Sequence, residues 1–300
     1  MAPAISCEDL SKSFGPLRAV EGVSFSVEPG EIVGFLGPNG AGKTTTIRML
    51  LDLIRPSRGR VEVLGANPRR GGAALRRRIG YVPGDLALYN RLTGRQLLEF
   101  VSALRGTHDL TAAEQIAEQL DVSLERPIGT LSRGNRQKIG VVQALAHAPE
   151  LLVLDEPTSG LDPVAQRTFR SLVRDAAARG TAVLLSSHVL GEVQRVVDRV
   201  AILRAGRLVT IEPMRDLEAK ALRVVEIRFG GPVPADEFAH LAGVRSIEVE
   251  GDLLRASVAG SADALVKAAS RFTVDSISGH EADLEDVFLT FYGEPADAPA

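Results

Sequence analysis

The chain has 300 residues, of which 45% are hydrophobic and 24% charged. Those proportions exclude a disordered or fibrous chain and leave room for one large domain or two ordinary ones. Cys7 is the only cysteine, which excludes an internal disulfide and a cysteine zinc cage and suits a reducing compartment. No apolar run approaches the roughly 18 residues of a bilayer span, and residues 1–9 lack a basic stretch followed by an apolar one, so neither a membrane span nor a secretory signal is expected. The expected compartment is the cytoplasm. Lys+Arg number 28 and Asp+Glu 22 over residues 1–215 (+6), against 7 and 16 over 216–300 (−9), summing to the net charge of −3. That shift predicts two modules, 1–215 and 216–300.

From residue 32 onward, short apolar runs alternate with helical patterns, the texture of an α/β domain built on a mostly parallel sheet. In chain order, strands are predicted at 32–36, 60–63, 79–82, 151–154, 182–186 and 199–204, and helices at 44–54, 135–146, 163–179 and 189–197. Strand signals vanish over about 93–146, where Leu97, Leu98, Val101 and Leu104 follow helical spacing, predicting a helical subdomain of about 86–147. Alternation over 206–212 reads as an edge strand and 213–220 as a link. The second module then reads 222–229 (strand), 234–242 (helix), 244–250 and 253–258 (strands), 262–270 (helix) and 272–278 (strand). That β-α-β-β-α-β order is the ferredoxin-like split βαβ arrangement. A closing helix over 284–291 would place Leu284, Val287, Phe288 and Phe291 on one face.

Residues 37–44, Gly-Pro-Asn-Gly-Ala-Gly-Lys-Thr, satisfy G-x-x-x-x-G-K-[ST] between a predicted strand and a predicted helix, the two contexts a P-loop requires. Gly40 and Gly42 permit turns closed to other residues, so successive N–H groups converge on phosphate oxygens. Lys43 supplies charge for the outer phosphates, and the Thr44 hydroxyl is placed to ligate Mg2+. A second signal is the run Leu151 to Leu154 ending in Asp155 and Glu156, since open α/β sheets bind ligands at the carboxyl ends of their strands. Asp155 is expected to hold the metal and Glu156 to polarise an attacking water. The two signals together predict a nucleoside triphosphatase.

Residues 131–137, Leu-Ser-Arg-Gly-Asn-Arg-Gln, precede a helical pattern just upstream of the carboxylate strand. Here the chain resembles the ATP-binding cassette (ABC) ATPases, whose signature loop reads L-S-G-G-Q. Leu131, Ser132 and Gly134 match; Arg133 replaces a glycine and Asn135 the glutamine. A serine hydroxyl and a glycine N–H at a helix start form a second anion site, which Arg133 makes more positive. Ser159, Gly160, Leu161 and Asp162 resemble the family's D-loop, His188 its switch histidine, and Phe14, with Val20 nearby, the residues against adenine. The resemblance covers roughly residues 4–212 and implies a P-loop cassette fold: a RecA-like core sheet, an antiparallel β subdomain and a helical subdomain. One departure is Gly84 where the family usually has a glutamine, with Asp85 next to it.

Carried over, the resemblance places ATP and Mg2+ on Asn39, Gly40, Ala41, Gly42, Lys43, Thr44, Thr45 and Asp155, with Glu156 as base and His188 at the γ-phosphate. Ser132, Arg133, Gly134 and Asn135 would act from the partner in a head-to-tail homodimer, linked through Asp162 and Asn39. The implied partner is a separately encoded membrane permease, which would hold the chain on the inner face of the cell membrane. A non-transport ABC ATPase remains a second reading, although neither a second P-loop nor sustained heptads appears. An importer subunit is a third. Residues 81–89, 91–94 and the tail 284–289 are similar to bacterial multidrug and antibiotic exporter subunits of the daunorubicin-resistance type, which implies export. The arginines at 69–70 and 76–78 lack interleaved aromatics, so a solvated face or a nearby anionic lipid is expected there and not nucleic acid.

Overall fold

The structure, a computed structural model, describes residues 2–220 and 222–280. The closing helix expected over 284–291 and the exporter-like tail lie outside the described residues. The chain divides into two compact units between Ile211 and Glu212, a boundary that falls inside the strand Arg207–Pro213.

The first unit runs β1 (Ile5–Phe14), β2 (Leu17–Val27), β3 (Ile32–Leu36), α1 (Lys43–Leu50), β4 (Arg58–Val63), α2 (Pro68–Arg77), β5 (Ile79–Val82), α3 (Gly94–Arg105), α4 (Thr111–Gln119), α5 (Arg133–Leu145), β6 (Leu151–Asp155), α6 (Pro163–Ala178), β7 (Ala182–Ser187), α7 (Leu190–Gln194), β8 (Arg199–Arg204) and β9 (Arg207–Pro213). Six strands form one sheet in the order β5-β6-β7-β3-β8-β9, with β5 through β8 parallel. Helices cover a parallel sheet on both faces, so its strands read as unbroken apolar runs. Accordingly every residue of β3, β6 and β7 is buried. Register sets what this sheet can do: Leu36 lies opposite Ser187, Asp155 opposite Ser186 and Val82 opposite Leu154. The carboxyl ends of four strands therefore finish at one level, and the loops that follow share one edge.

A separate antiparallel sheet has the order β2-β1-β4. β1 and β2 are absent from the sequence expectations because their alternation is broken: pairing shifts register between Cys7 and Leu10, where Asp9 takes φ 50°, and Gly22 has φ 63°. A bulge moves every later side chain to the opposite face and hides the period of two. Helix α2 is equally hidden, because only Pro68 and Leu75 are buried and non-helical backbone at Gly72 interrupts it.

The second unit contains α8 (Met214–Lys220), β10 (Leu222–Phe229), α9 (Ala235–Ala239), β11 (Val244–Glu250), β12 (Leu253–Ala259), α10 (Asp263–Ala269) and β13 (Val274–His280). Its sheet has the order β11-β12-β10-β13 with every described pairing antiparallel, the ferredoxin-like order. Val225, Ile227, Phe229, Phe238, Leu254, Val258 and Leu265 form its core. The segment expected as a link is instead largely α8, whose Met214 and Leu217 are buried; their i, i+3 spacing is the sequence sign of a packed helix.

Candidate functional site

The loop leaving β3 wraps into α1 through Gly42, which has φ 103° and ψ 0°. A Cβ on Gly42 would lie 2.7 Å from the carbonyl oxygen of Ala19, so only glycine fits both the turn and the close approach. Asn39, Gly40, Ala41, Gly42, Lys43, Thr44 and Thr45 line a cavity of about 170 Å3 together with Ala19, Pro38 and Glu156. Seven predicted P-loop positions and one carboxylate from the end of β6 thus converge at the amino end of α1, where unpaired N–H groups and the helix dipole favour an anion.

Inside this cavity, Lys43 is 6% exposed, and its Nζ donates to the carbonyl oxygens of Gly37 at 2.5 Å and Pro38 at 3.3 Å. The same ammonium lies 3.5 Å from Glu156 Oε1. On the other side, His188 Nδ1 donates to Glu156 Oε2 at 2.8 Å, the proton residing on nitrogen because a carboxylate only accepts. Glu156 therefore stands between a lysine and a histidine, Lys43 at the start of α1 and Glu156 and His188 directly after β6 and β7. Its backbone has φ 50°, a conformation that costs a non-glycine residue about 1–3 kcal/mol and is held only where the surroundings determine it.

Asp155 is 1% exposed. Its Oδ1 accepts from Ser186 Oγ at 2.5 Å, while Oδ2 is buried with no hydrogen-bond partner among the described residues. On that open side stands Gly84, where a Cβ would come within 3.3 Å of Oδ2. An orphaned carboxylate oxygen is costly unless a cation completes it. Among the described residues no cluster of three or more His, Cys, Asp or Glu is placed to hold a metal. The donors present, the Thr44 hydroxyl and one carboxylate, fit a hard cation whose remaining ligands are phosphate and water. Burial and the Asp155 charge push the Tyr81 phenol above its ordinary pKa.

One expectation changes here. The resemblance puts Val20 beside the base, but it is 1% exposed in the core beneath the loop, its Cγ2 3.2 Å from where a Cβ on Gly42 would stand, and Ala19 lines the cavity instead. Arg133, expected to add charge to an anion site, donates from its guanidinium to the neutral Ser159 hydroxyl at 3.0 Å. Phe14 is 49% exposed at the tip of the β1–β2 hairpin, with Lys12 Nζ 4.9 Å from its ring centroid.

Ser132 caps α5 by accepting from the Asn135 N–H at 3.2 Å. A Cβ on Gly134 would meet the Gly160 carbonyl oxygen at 2.5 Å, so α5 packs on the loop after β6 only through a glycine. The buried Gln137 reinforces that contact by donating to the Pro157 carbonyl at 2.9 Å. Asp162 caps α6, accepting from Val164 and Ala165 N–H, and lies 3.8 Å from Lys138. The Ala165 N–H, with a smaller effect of Lys138, holds its carboxyl below the usual range. None of residues 132–135 lines the P-loop cavity.

The family model described as ABC transporter matches residues 20–159. The bacitracin transport ATP-binding protein BcrA of Bacillus licheniformis is 38% identical over 231 residues, 76% of each chain. This chain belongs to the ABC transporter ATP-binding family. A Nod factor export ATP-binding protein I of Rhizobium etli is 33% identical over 299 residues, 97% of this chain and 93% of the relative, a span that includes the second unit. Among solved structures, an ATP-binding subunit of an ABC transporter superposes with TM-score 0.67 at 30% identity, covering 72% of this chain and 92% of that one. This ABC protein is accordingly an ATP-binding ATPase with the cassette fold, and no helix among its described residues is long and apolar enough to cross a membrane.

Proposed function

We propose that this ABC subunit powers export through a separately encoded membrane permease, which seats it on the cytoplasmic face of the cell membrane, and that it works as a pair of identical copies. The observation that carries the reading is Glu156, set between Lys43 and His188 at the mouth of the P-loop cavity. A relative named for bacitracin transport supports a transport role, and one named for Nod factor export supports the direction. Residues 1–215, with the helical subdomain at about 86–147, form the cassette in this reading, and 216–300 an accessory module.

Phosphoryl transfer asks for positioning and charge neutralisation. Lys43 leaves the Gly37 carbonyl for the outer phosphates, and the N–H groups of residues 40–45 cradle them. Thr44 and Asp155 would hold Mg2+, which would supply positive charge to offset that of the phosphates. Glu156 takes the proton of the attacking water, His188 orients Glu156 and reaches the γ-phosphate, and Phe14 stacks on the base. Because the loop of Ser132, Gly134 and Asn135 lies off the cavity of its own chain, it serves the nucleotide of the second copy, with Asp162 and Asn39 at the seam. ATP that touches both copies when closed and one when open shifts the population toward the closed pair.

The test is efflux of a panel of peptide and lipophilic antibiotics from cells expressing the chain with its permease. Wild type is expected to lower accumulation, and Lys43→Ala, which loses nucleotide binding, to leave it at the level of the permease alone. Accumulation raised by the wild-type pair would mean import, and equal effects of both chains would exclude ATP as the driver.

A further inference from the structure

Ser186 is fully buried at the carboxyl end of β7. The parallel register sets it directly opposite Asp155, so both side chains leave the same face of the sheet. A serine hydroxyl has one proton and two lone pairs, and this one uses both functions on the neighbouring carboxylate pair. Its proton goes to Asp155 Oδ1 at 2.5 Å, and its oxygen accepts the Glu156 N–H at 3.1 Å. The Ser186 carbonyl accepts the same N–H at 3.1 Å. Ser187, next along the chain, instead closes the turn around His188 by accepting from the Val189 N–H at 3.0 Å.

Sheet order decides which oxygen stays free. β6 lies between β7 and β5, so Asp155 has Ser186 on one side and Gly84, two residues beyond β5, on the other. With Oδ1 tied to Ser186, Oδ2 is buried, turned toward Gly84 and without a hydrogen-bond partner among the described residues. The same hydroxyl grips the N–H of Glu156, the residue held at φ 50°. We infer that Ser186 is a positioning residue for hydrolysis: it selects the Asp155 oxygen presented to the metal and, through the Glu156 N–H, fixes the base in register with it. This rests on the assignment of Asp155 and Glu156 given under the proposed function. The role falls to serine because its hydroxyl bonds both groups and alanine could bond neither. Partners that orient a metal-binding carboxylate typically contribute about 10- to 100-fold to metal affinity.

The experiment titrates Mg2+ into the full chain holding a fluorescent ATP analogue and measures the Kd of the analogue separately in EDTA. Ser186→Ala and Ser186→Cys, the second preserving volume but not a strong donor, are each expected to raise the Mg2+ half-saturation by about 10- to 100-fold. The Kd in EDTA should stay at the wild-type value, a separation that a merely structural role would not produce. A wild-type Mg2+ response in Ser186→Cys would overturn the inference, because volume and not the hydrogen bond would then matter. Parallel losses with and without Mg2+ would overturn it too, as damage to the fold. A wild-type chain indifferent to Mg2+ would remove the metal site itself, whereas a responsive wild type with indifferent variants removes only the role of Ser186.

Discussion

Replacing Glu156 by glutamine keeps its shape and removes its charge, and the surrounding distances give two opposite consequences. In the nucleotide-free site Glu156 Oε1 is 3.5 Å from Lys43 Nζ, with the two side chains 22% and 6% exposed. That ion pair competes with phosphate for the ammonium. Removing one partner of a mostly buried pair typically leaves a penalty of about 3–5 kcal/mol on the other charge, which a bound phosphate relieves, so Glu156→Gln should bind ATP at least about tenfold more tightly. Catalysis moves the other way. A positioned general base contributes about 100- to 10,000-fold, or about 3–5 kcal/mol of barrier, and glutamine cannot accept the proton. Phosphate release under saturating MgATP measures the second effect, and titration with a fluorescent ATP analogue the first. Hydrolysis at the wild-type rate would show that Glu156 is not the base, and weakened binding would show that its contact with Lys43 does not compete with phosphate.

Two titratable groups give further checks. Burial pushes the Cys7 thiol up to about 12, so a disulfide reagent at pH 8 should find no reactive thiol in the folded chain and one equivalent in denaturant; fast labelling of the native protein would contradict this. Burial first, and then the charge of Arg105, hold His147 down to about 4 from its ordinary value of 6.5. Between those values the unfolded chain binds the proton that the folded chain refuses, so stability falls as pH drops through 6.5 toward 4. The melting temperature of His147→Gln should therefore decline less than that of wild type between about pH 7 and pH 5, and equal declines would contradict the assignment.

What the amino-acid order reveals depends on whether an interaction is local. The P-loop is legible because eight contiguous residues define it, and β3, β6 and β7 because strands buried on both faces read as apolar runs. The bulge at Asp9 and the left-handed Gly22 erase the alternation of β1 and β2, leaving nothing periodic to see. Choosing between Ala19 and Val20 at the cavity requires the approach of the hairpin to Gly42, which no spacing encodes. Ser186 is silent for the same reason: its value lies in the register of two strands whose paired residues stand 31 positions apart. Arg133 departs from its family's glycine, and only the folded loop reveals that its side chain is tied to Ser159.

The proposed cycle depends throughout on two copies pairing around ATP, and the mass of Glu156→Gln in solution decides whether they do. By size-exclusion chromatography with light scattering, the chain should elute near its 31.9 kDa monomer mass without nucleotide and double its mass only with MgATP. A mass that MgATP leaves unchanged, at either the monomer or the dimer value, would contradict the pairing.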